Sequence, residues 1–156
     1  MASDQGGERH IRVARSGTFG GDTPQTAGLV RTVAFDERNP DGEVLSAFRS
    51  WVAPGAATGA HHHGAQETVL YVIEGHARYR WGDRLEHELE AAPGDFVFIP
   101  AHVVHQEINA SDEEPTVWAV VRSGQEPVVV NLPDLPVVEK PEEVHWVDNI
   151  HPHPKS

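Results

Sequence analysis

The chain contains no cysteine, so it has no disulfide, no thiolate metal ligand and no cysteine nucleophile. It also lacks an uninterrupted apolar run of about 18 residues, the length that a membrane-spanning helix needs. The N-terminal segment is polar and has no apolar core typical of a secretory signal, so we expect a cytoplasmic protein. Basic residues are few, since 12 Lys and Arg stand against 24 Asp and Glu, giving a net charge of −12. Because such a charge repels phosphates and anionic lipids, we expect neither nucleic acid nor membrane as a partner.

Sustained helical periodicity is also missing, whereas short runs of alternating or β-branched residues recur along the chain. Gly, Pro, Asn and Asp separate these runs where tight turns require them. This pattern predicts an all-β sandwich or barrel. The predicted strands span residues 10–15, 27–36, 43–52, 67–74, 76–81, 84–91, 95–99, 105–109, 115–122 and 127–131.

The composition changes after Leu132, because five prolines interrupt the remaining 24 residues. Each proline removes a backbone donor that a sheet would use. We therefore expect residues 1–132 to form a single barrel domain that includes the N-terminal strands. Residues 133–156, a tail that contains histidines as well as prolines, are expected to wrap the barrel as extended coil or to be partly disordered.

Histidine is abundant, with 11 in 156 residues, and five of them fall in two short segments. The five are His61, His62, His63, His102 and His105. Residues two apart on an extended stretch point the same way, so His61 and His63 can present both imidazoles to one point. A third imidazole from His105, on a remote strand, completes a site that leaves open positions for water or substrate.

These segments resemble the two motifs of the cupin superfamily, G(X)5HXH(X)3,4E(X)6G and G(X)5PXG(X)2H(X)3N. The matching residues are Gly55, His61 and His63 in the first motif and Gly94, Pro100, His105 and Asn109 in the second. The resemblance covers residues 55–109 and implies a double-stranded β-helix, or jelly-roll, barrel. It also implies one bound divalent transition metal, either Zn, Fe, Mn or Ni. His102 stands where the second motif has glycine, so another imidazole is expected near the pocket mouth.

The fourth metal ligand is ambiguous, because the two halves of the first motif select different residues. Counting three residues after His63 selects Glu67, whereas counting six residues before Gly75 selects Thr68. If Thr68 faces inward, Gln66 shares its face, and some relatives have Gln where others have Glu. We rank Gln66 first as the fourth ligand and keep Glu67 as the alternative.

Glu107 shares a strand face with His105, so we expect it to enter the pocket. There it is expected to act as a general acid or base, or to orient a ligand imidazole. The rest of the lining is predicted to be apolar, and strand parity assigns it to Leu70, Val72, Tyr79, Trp81, Val97 and Ile99.

The resemblance implies a metal-dependent enzyme that acts on a small, partly hydrophobic organic substrate, with aromatic or polyketide-like compounds as candidates. Iron would imply a dioxygenase, and zinc, manganese or nickel a non-redox lyase, isomerase or cyclase. The alternative is a non-catalytic cupin that binds or senses a small ligand. A metal-free epimerase relative is disfavoured by the intact histidines. A homodimer is expected, because N-terminal strands could cover the open sheet edges of a partner.

Overall fold

The computed structural model describes residues 11–21, 28–38 and 44–146, which consist almost entirely of strands in two sheets. The strands are β1 (Leu29–Phe35), β2 (Leu45–Val52), β3 (His61–His62), β4 (Thr68–Glu74), β5 (Ala77–Trp81), β6 (His87–Ala91), β7 (Phe96–Ile99), β8 (His105–Asn109), β9 (Thr116–Ser123), β10 (Val130–Asn131) and β11 (Glu143–Trp146). A single 3-10 turn, Ser16–Thr18, precedes them. The prediction of an all-β fold is confirmed. None of the described residues forms a helix long and apolar enough to cross a membrane.

The two sheets bring together strands that are distant in the sequence. One sheet has the order β1-β2-β9-β4-β7, and the other has the order β10-β3-β8-β5-β6-β11. All of these pairings are antiparallel except that of β11 with β6. Because β3 pairs with β8, the two histidine segments become neighbours, with His61 directly opposite His105.

Alternate residues of each strand face the space between the sheets, as the pleat of a strand requires. In β4, for example, Thr68, Leu70 and Val72 are buried while Val69 and Tyr71 are exposed. The largest fully buried side chain is Trp118. Its indole nitrogen donates a hydrogen bond to the hydroxyl of Thr116 at 3.0 Å, so this core residue leaves no donor unsatisfied.

Positive φ angles occur at several turns, where glycine is favoured because it has no Cβ. Gly75 and Gly94 adopt φ angles of +75° and +97° in turns that the sequence predicts. Two non-glycine residues of the described chain share this conformation, Leu85 at +53° and His102 at +63°. The backbone at His102 therefore explains why the second cupin motif has glycine at this position.

Three of the predicted strands differ from the structure, and the two-residue strand β3 was not predicted. Residues 11–15 form no strand, and residue 10 lies outside the described residues. The strand predicted from residue 84 begins only at His87, because Leu85 adopts its left-handed conformation in the preceding turn. The strand predicted at 127–131 is reduced to β10.

The segment after Leu132 contributes a strand where the sequence predicts extended coil. Strand β11 pairs in parallel with β6, with Glu143 opposite His87 and Trp146 opposite Glu90. Because none of its four residues is proline, the backbone donors that a ladder needs are present there. Residues 1–10 and 147–156, which include the ends of the chain assigned to the barrel and the tail, lie outside the described residues.

Candidate metal centre

Four buried side chains converge between the two sheets: His61, His63, His105 and Glu107. One ligand atom from each lies within 4.8 Å of those of the other three. All four residues are at most 5% exposed. The register of β3 with β8 places His61 opposite His105, and His63 and Glu107 each follow two residues later on the same face. The structure thus brings the three predicted histidines together.

Each imidazole of the cluster is oriented by a hydrogen bond from Nδ1 to a backbone carbonyl at 2.9 Å. For His61, His63 and His105 these carbonyls belong to Gly59, Val128 and Val103, respectively. A carbonyl oxygen can only accept, so each Nδ1 carries a proton, and in the neutral form of each ring the lone pair is at Nε2. This is the arrangement that holds imidazoles toward a metal ion in metalloproteins.

The Nε2 atoms and the carboxylate of Glu107 face one another as acceptors. Nε2 of His61 lies 3.2 Å from Oε2 of Glu107, and Nε2 of His105 lies 3.7 Å from Oε1. Nε2 of His105 is buried and has no hydrogen-bond partner among the described residues. Imidazole lone pairs and a carboxylate that face one another need a proton or a metal cation between them, and three imidazole nitrogens with one carboxylate suit a divalent transition metal. The residues present therefore fit the metal that the cupin resemblance implies.

The protonation states also suit a metal ion. Burial and, to a lesser extent, the nearby charge of Arg122 lower the pKa of His63 to about 2. Burial likewise lowers the pKa of His61. Burial acts to raise the pKa of Glu107, but attraction to protons shared with the facing imidazoles, His61 first, outweighs burial and holds this pKa well below its usual range. At neutral pH His61 and His63 are uncharged and Glu107 is ionised, which are the states that bind metal.

Thr58, which precedes β3 and which the motifs do not include, holds Glu107 in place. Its buried hydroxyl donates to Oε2 of Glu107 at 3.2 Å and accepts from the backbone N–H of the same residue at 2.9 Å. A carboxylate fixed in this way loses little freedom when it binds a metal ion. No sequence pattern identifies Thr58, because a lone threonine in a loop is common.

Two buried arginines, also absent from the motifs, border the cluster. Arg122 of β9 donates from Nη2 to Nε2 of His63 at 3.0 Å and from Nε to the hydroxyl of Thr68 at 2.9 Å. The guanidiniums of Arg31 and Arg122 both lie near the ring of Phe48, 4.5 and 5.0 Å from its centroid. Burial, aided by the charge of Arg31, lowers the pKa of Arg122 to about 9, so Arg122 is still charged at neutral pH.

The two residues predicted as the fourth ligand, Gln66 and its alternative Glu67, both lie away from the cluster. The amide of Gln66 hydrogen-bonds to the backbone of residues 126–128, and the side chain of Glu67 is exposed. The inward position at the start of β4 is taken by Thr68, which is buried. The acid beside the imidazoles is therefore Glu107 from β8, in place of Gln66 or Glu67.

A cavity of about 270 Å³ opens beside His105. Its other walls are Tyr79, Trp81, Leu89, Val97, Phe98, Ile99, Pro100 and Val103. The predicted lining residues Leu70 and Val72 are instead packed in the core, because β4 lies one strand further from the opening than β7. His102 is exposed and is not among the cavity walls, in contrast to its predicted place at the pocket mouth.

Tyr79 contributes a polar group to this largely apolar cavity. Its hydroxyl is buried and has no hydrogen-bond partner in the described chain. Burial, together with the charge of Glu107 on the neighbouring strand, raises the pKa of Tyr79 well above 10. The hydroxyl therefore remains protonated and can donate a hydrogen bond to a bound molecule.

The fold and the cluster define a class, a double-stranded β-helix with three imidazoles and a carboxylate buried between its sheets. Residues 49–122 match the family model described as the cupin domain. This stretch of the chain is therefore a cupin domain, as the motif resemblance predicts. No curated protein matches the chain.

Solved structures of similar fold are numerous and distant in sequence. The polyketide cyclase RemF from Streptomyces resistomycificus matches with a TM-score of 0.63 and 22% identity over 81% of this chain and 90% of its own. Oxalate decarboxylase from Bacillus subtilis matches with a TM-score of 0.59 and 24% identity over 69% of this chain, but only 28% of its own. An uncharacterised double-stranded β-helix protein from Klebsiella pneumoniae matches with a TM-score of 0.56 and 19% identity over 70% of this chain and 88% of its own. These similarities confirm the fold.

Proposed function

We propose that this cupin domain holds one divalent transition metal through His61, His63, His105 and Glu107 and acts as an enzyme on a small organic substrate. The observation that carries the proposal is the convergence of three Nε2 lone pairs and one carboxylate within 4.8 Å. Buried acceptors that face one another destabilise a fold unless a cation compensates them. A metal ion therefore accounts for an arrangement that the core alone does not require.

When bound, the metal supplies a Lewis acid that polarises a carbonyl or enolate oxygen. Three neutral imidazoles and one carboxylate leave such a centre with a net positive charge. The cavity beside His105 provides apolar walls for the carbon skeleton of the substrate and excludes water from it. The protonated hydroxyl of Tyr79 is available to donate to an oxygen of the substrate.

We favour non-redox lyase, isomerase or cyclase chemistry over a dioxygenase reaction. The similarity to a polyketide cyclase, which extends over most of both chains, supports this choice and a partly hydrophobic, cyclic or polyketide-like substrate. The oxalate decarboxylases carry less weight, because this chain spans less than a third of their length.

Elemental analysis of the untagged protein tests the metal centre. After reconstitution with Zn, Fe(II), Mn(II) or Ni(II), the native chain is expected to hold about one equivalent of metal, and the His105→Ala variant far less. His62→Ala is the matched control, because His62 lies between two ligands but hydrogen-bonds the backbone N–H of Gly64 at 3.0 Å instead. A native chain that holds less than about a tenth of an equivalent at micromolar metal would contradict the proposal.

Oxygen consumption then separates the reaction classes. The Zn-loaded chain is expected to convert aromatic or polyketide-type substrates without oxygen uptake. Oxygen uptake coupled to conversion by the Fe(II)-loaded chain would instead assign a dioxygenase. Ligand binding without conversion by any loaded form would favour the small-ligand-sensing alternative.

A further inference from the structure

The guanidinium of Arg122 has hydrogen-bonding capacity that the fold does not use. The residue is 3% exposed, and in the part of the chain that the structure describes its Nη1 atom is buried without a hydrogen-bond partner. Its two hydrogen bonds within the described residues go to neutral groups, the hydroxyl of Thr68 and Nε2 of His63. The contact with Phe48 engages the face of the guanidinium and does not use its N–H groups. A buried guanidinium normally has an anionic hydrogen-bond partner, and neither of these two groups is an anion.

The one carboxylate in the cluster cannot fully supply this anionic partner. Glu107 faces the imidazoles and hydrogen-bonds Thr58, and no hydrogen bond or ion pair joins it to Arg122 among the described residues. Besides burial, the charge of Arg31 lowers the pKa of Arg122, and the charge of Glu107 raises it to a lesser extent, so the positive charge is only partly offset. With a divalent metal bound, the positive charges of the metal and of Arg122 exceed the single negative charge of Glu107.

We infer that Arg122 is an anion-binding residue of the proposed metal centre, and that the substrate carries an anionic oxygen, as a carboxylate or an enolate, on an apolar skeleton. This inference rests on the proposed function. A metal ion at Nε2 of His63 takes the lone pair that now accepts from Nη2 of Arg122. Both Nη atoms then require another acceptor, and the planar fork of a guanidinium matches an oxyanion bound beside the metal.

The position of the cavity is consistent with the apolar skeleton that we infer for the substrate. The cavity borders His105, Arg122 contacts His63, and the rings of these two histidines are 5.0 Å apart. A molecule in the cavity would contact Arg122 through a substituent that extends past His105 toward His63. A cavity of about 150 Å³ holds benzene, so the volume beside His105 accommodates a substituted ring.

Calorimetric titration of the zinc-loaded full-length chain tests the inference with benzoate and with benzamide, its neutral isostere. Benzoate is expected to bind at least about tenfold more tightly than benzamide, since hydrogen bonds to charged groups are the stronger ones. Arg122→Gln is expected to remove this preference while benzamide binding and zinc content stay unchanged. Arg49→Gln, which removes an exposed arginine from β2 of the same sheet, is the matched control and should behave like the native chain.

Equal binding of benzoate and benzamide, or a preference for benzoate that survives Arg122→Gln, would overturn the inference. If Arg122→Gln fails to fold, as judged by circular dichroism, Arg122→Lys takes its place. That variant keeps the charge without the planar fork and should retain only part of the preference. Acetate, titrated in parallel, separates the anion site from the cavity, because it should bind through Arg122 without the contribution of a ring.

Zinc content is measured separately and reports on the proposed function alone. A chain that binds no zinc would contradict the metal centre. A preference for benzoate in the zinc-free chain that Arg122→Gln removes would then still support the anion site. A zinc-loaded chain without this preference would contradict only the role of Arg122.

Discussion

Nε2 of His61 lies 3.2 Å from Oε2 of Glu107, while the other ring nitrogen of His61 donates to the carbonyl of Gly59. This relationship fixes the tautomer of the ring, so that a lone pair and a carboxylate oxygen face each other. The acid at this position comes from the strand that also carries His105. Two short segments therefore supply all four side chains of the cluster. One is β3 together with the following residue, His63, and the other is β8.

The Glu107→Gln variant tests this assignment of the acid. Because an amide oxygen is a neutral and weaker ligand, zinc affinity is expected to fall by roughly 10- to 100-fold or more. Competition with a chromophoric chelator measures the change. Glu67→Gln makes the same substitution at the exposed residue that the motif spacing selects, and it should leave zinc affinity unchanged. A larger loss from Glu67→Gln than from Glu107→Gln would contradict the assignment.

The fold was largely predictable from the sequence, because alternation of apolar and polar residues and turn residues are local properties. Nine of the ten predicted strands are present in whole or in part; residues 11–15 form none. Strand β11 was missed because its backbone pairs with the distant β6, a contact that no local pattern reports. Leu85 was misassigned because its left-handed backbone depends on the tertiary burial of its side chain.

The site was only partly predictable. The spacing of His61, His63 and His105 sufficed to place three imidazoles together, because residue parity and motif spacing are visible in the sequence. The fourth group of the cluster could not be predicted from the sequence. Choosing Glu107 over Gln66 requires the knowledge that β3 pairs with β8. Arg122 could not be identified at all, because an arginine in a strand is more often exposed than buried.

The stability of the metal-free chain should depend steeply on pH. In the unfolded chain His61 and His63 take up protons near pH 6.5, whereas in the folded chain the pKa of His63 is about 2 and that of His61 is lowered. The unfolded state therefore binds more protons below pH 6.5, and stability is lost as the pH falls. We expect the free energy of unfolding to drop by roughly 1 kcal/mol or more between pH 6.5 and 5.5, measured with urea in the presence of a chelator.

A histidine substitution serves as the control for this pH dependence. His63→Gln should flatten the profile, whereas His62→Gln should leave its slope unchanged, because His62 lies outside the buried cluster. The pH range of these measurements stays above 5. Glu107 remains ionised in the folded chain throughout this range, because its pKa is well below its usual range. A profile that is flat in the native chain would show that these imidazoles are not held neutral by burial.

Replacement of His102 by glycine should stabilise the chain. A φ of +63° strains any residue that has a Cβ, and the side chain of His102 is exposed, so little packing is lost. We expect a gain of about 1 kcal/mol in the free energy of unfolding, with no change in zinc affinity. Ala101→Gly is the control in the same turn, because φ of Ala101 is not positive and glycine should destabilise it. Destabilisation by His102→Gly would show that the imidazole has a structural role.

A homodimer remains a prediction, and the structure suggests which face to test. Phe96 and Phe98 are 72% and 58% exposed on β7, at one edge of the five-stranded sheet, and Tyr71 packs against Phe96. Exposed aromatic residues on an edge strand are typical of surfaces that pair with another chain. Light scattering should therefore give twice the 17.1 kDa of one chain, and Phe98→Lys should shift the protein toward a monomer. A native chain that elutes as a monomer would refute the dimer.

Two leucine-to-alanine substitutions should distinguish the core from the cavity. Leu70 is 2% exposed and packed on all sides, so Leu70→Ala is expected to lower the free energy of unfolding by about 2–5 kcal/mol. Leu89 lines the cavity beside Tyr79 and is only partly buried, so Leu89→Ala removes fewer contacts and should cost less than half as much. Urea denaturation measures both values. Equal losses would mean that the space beside Leu89 is closed in solution, and the cavity could not then hold the apolar part of a substrate.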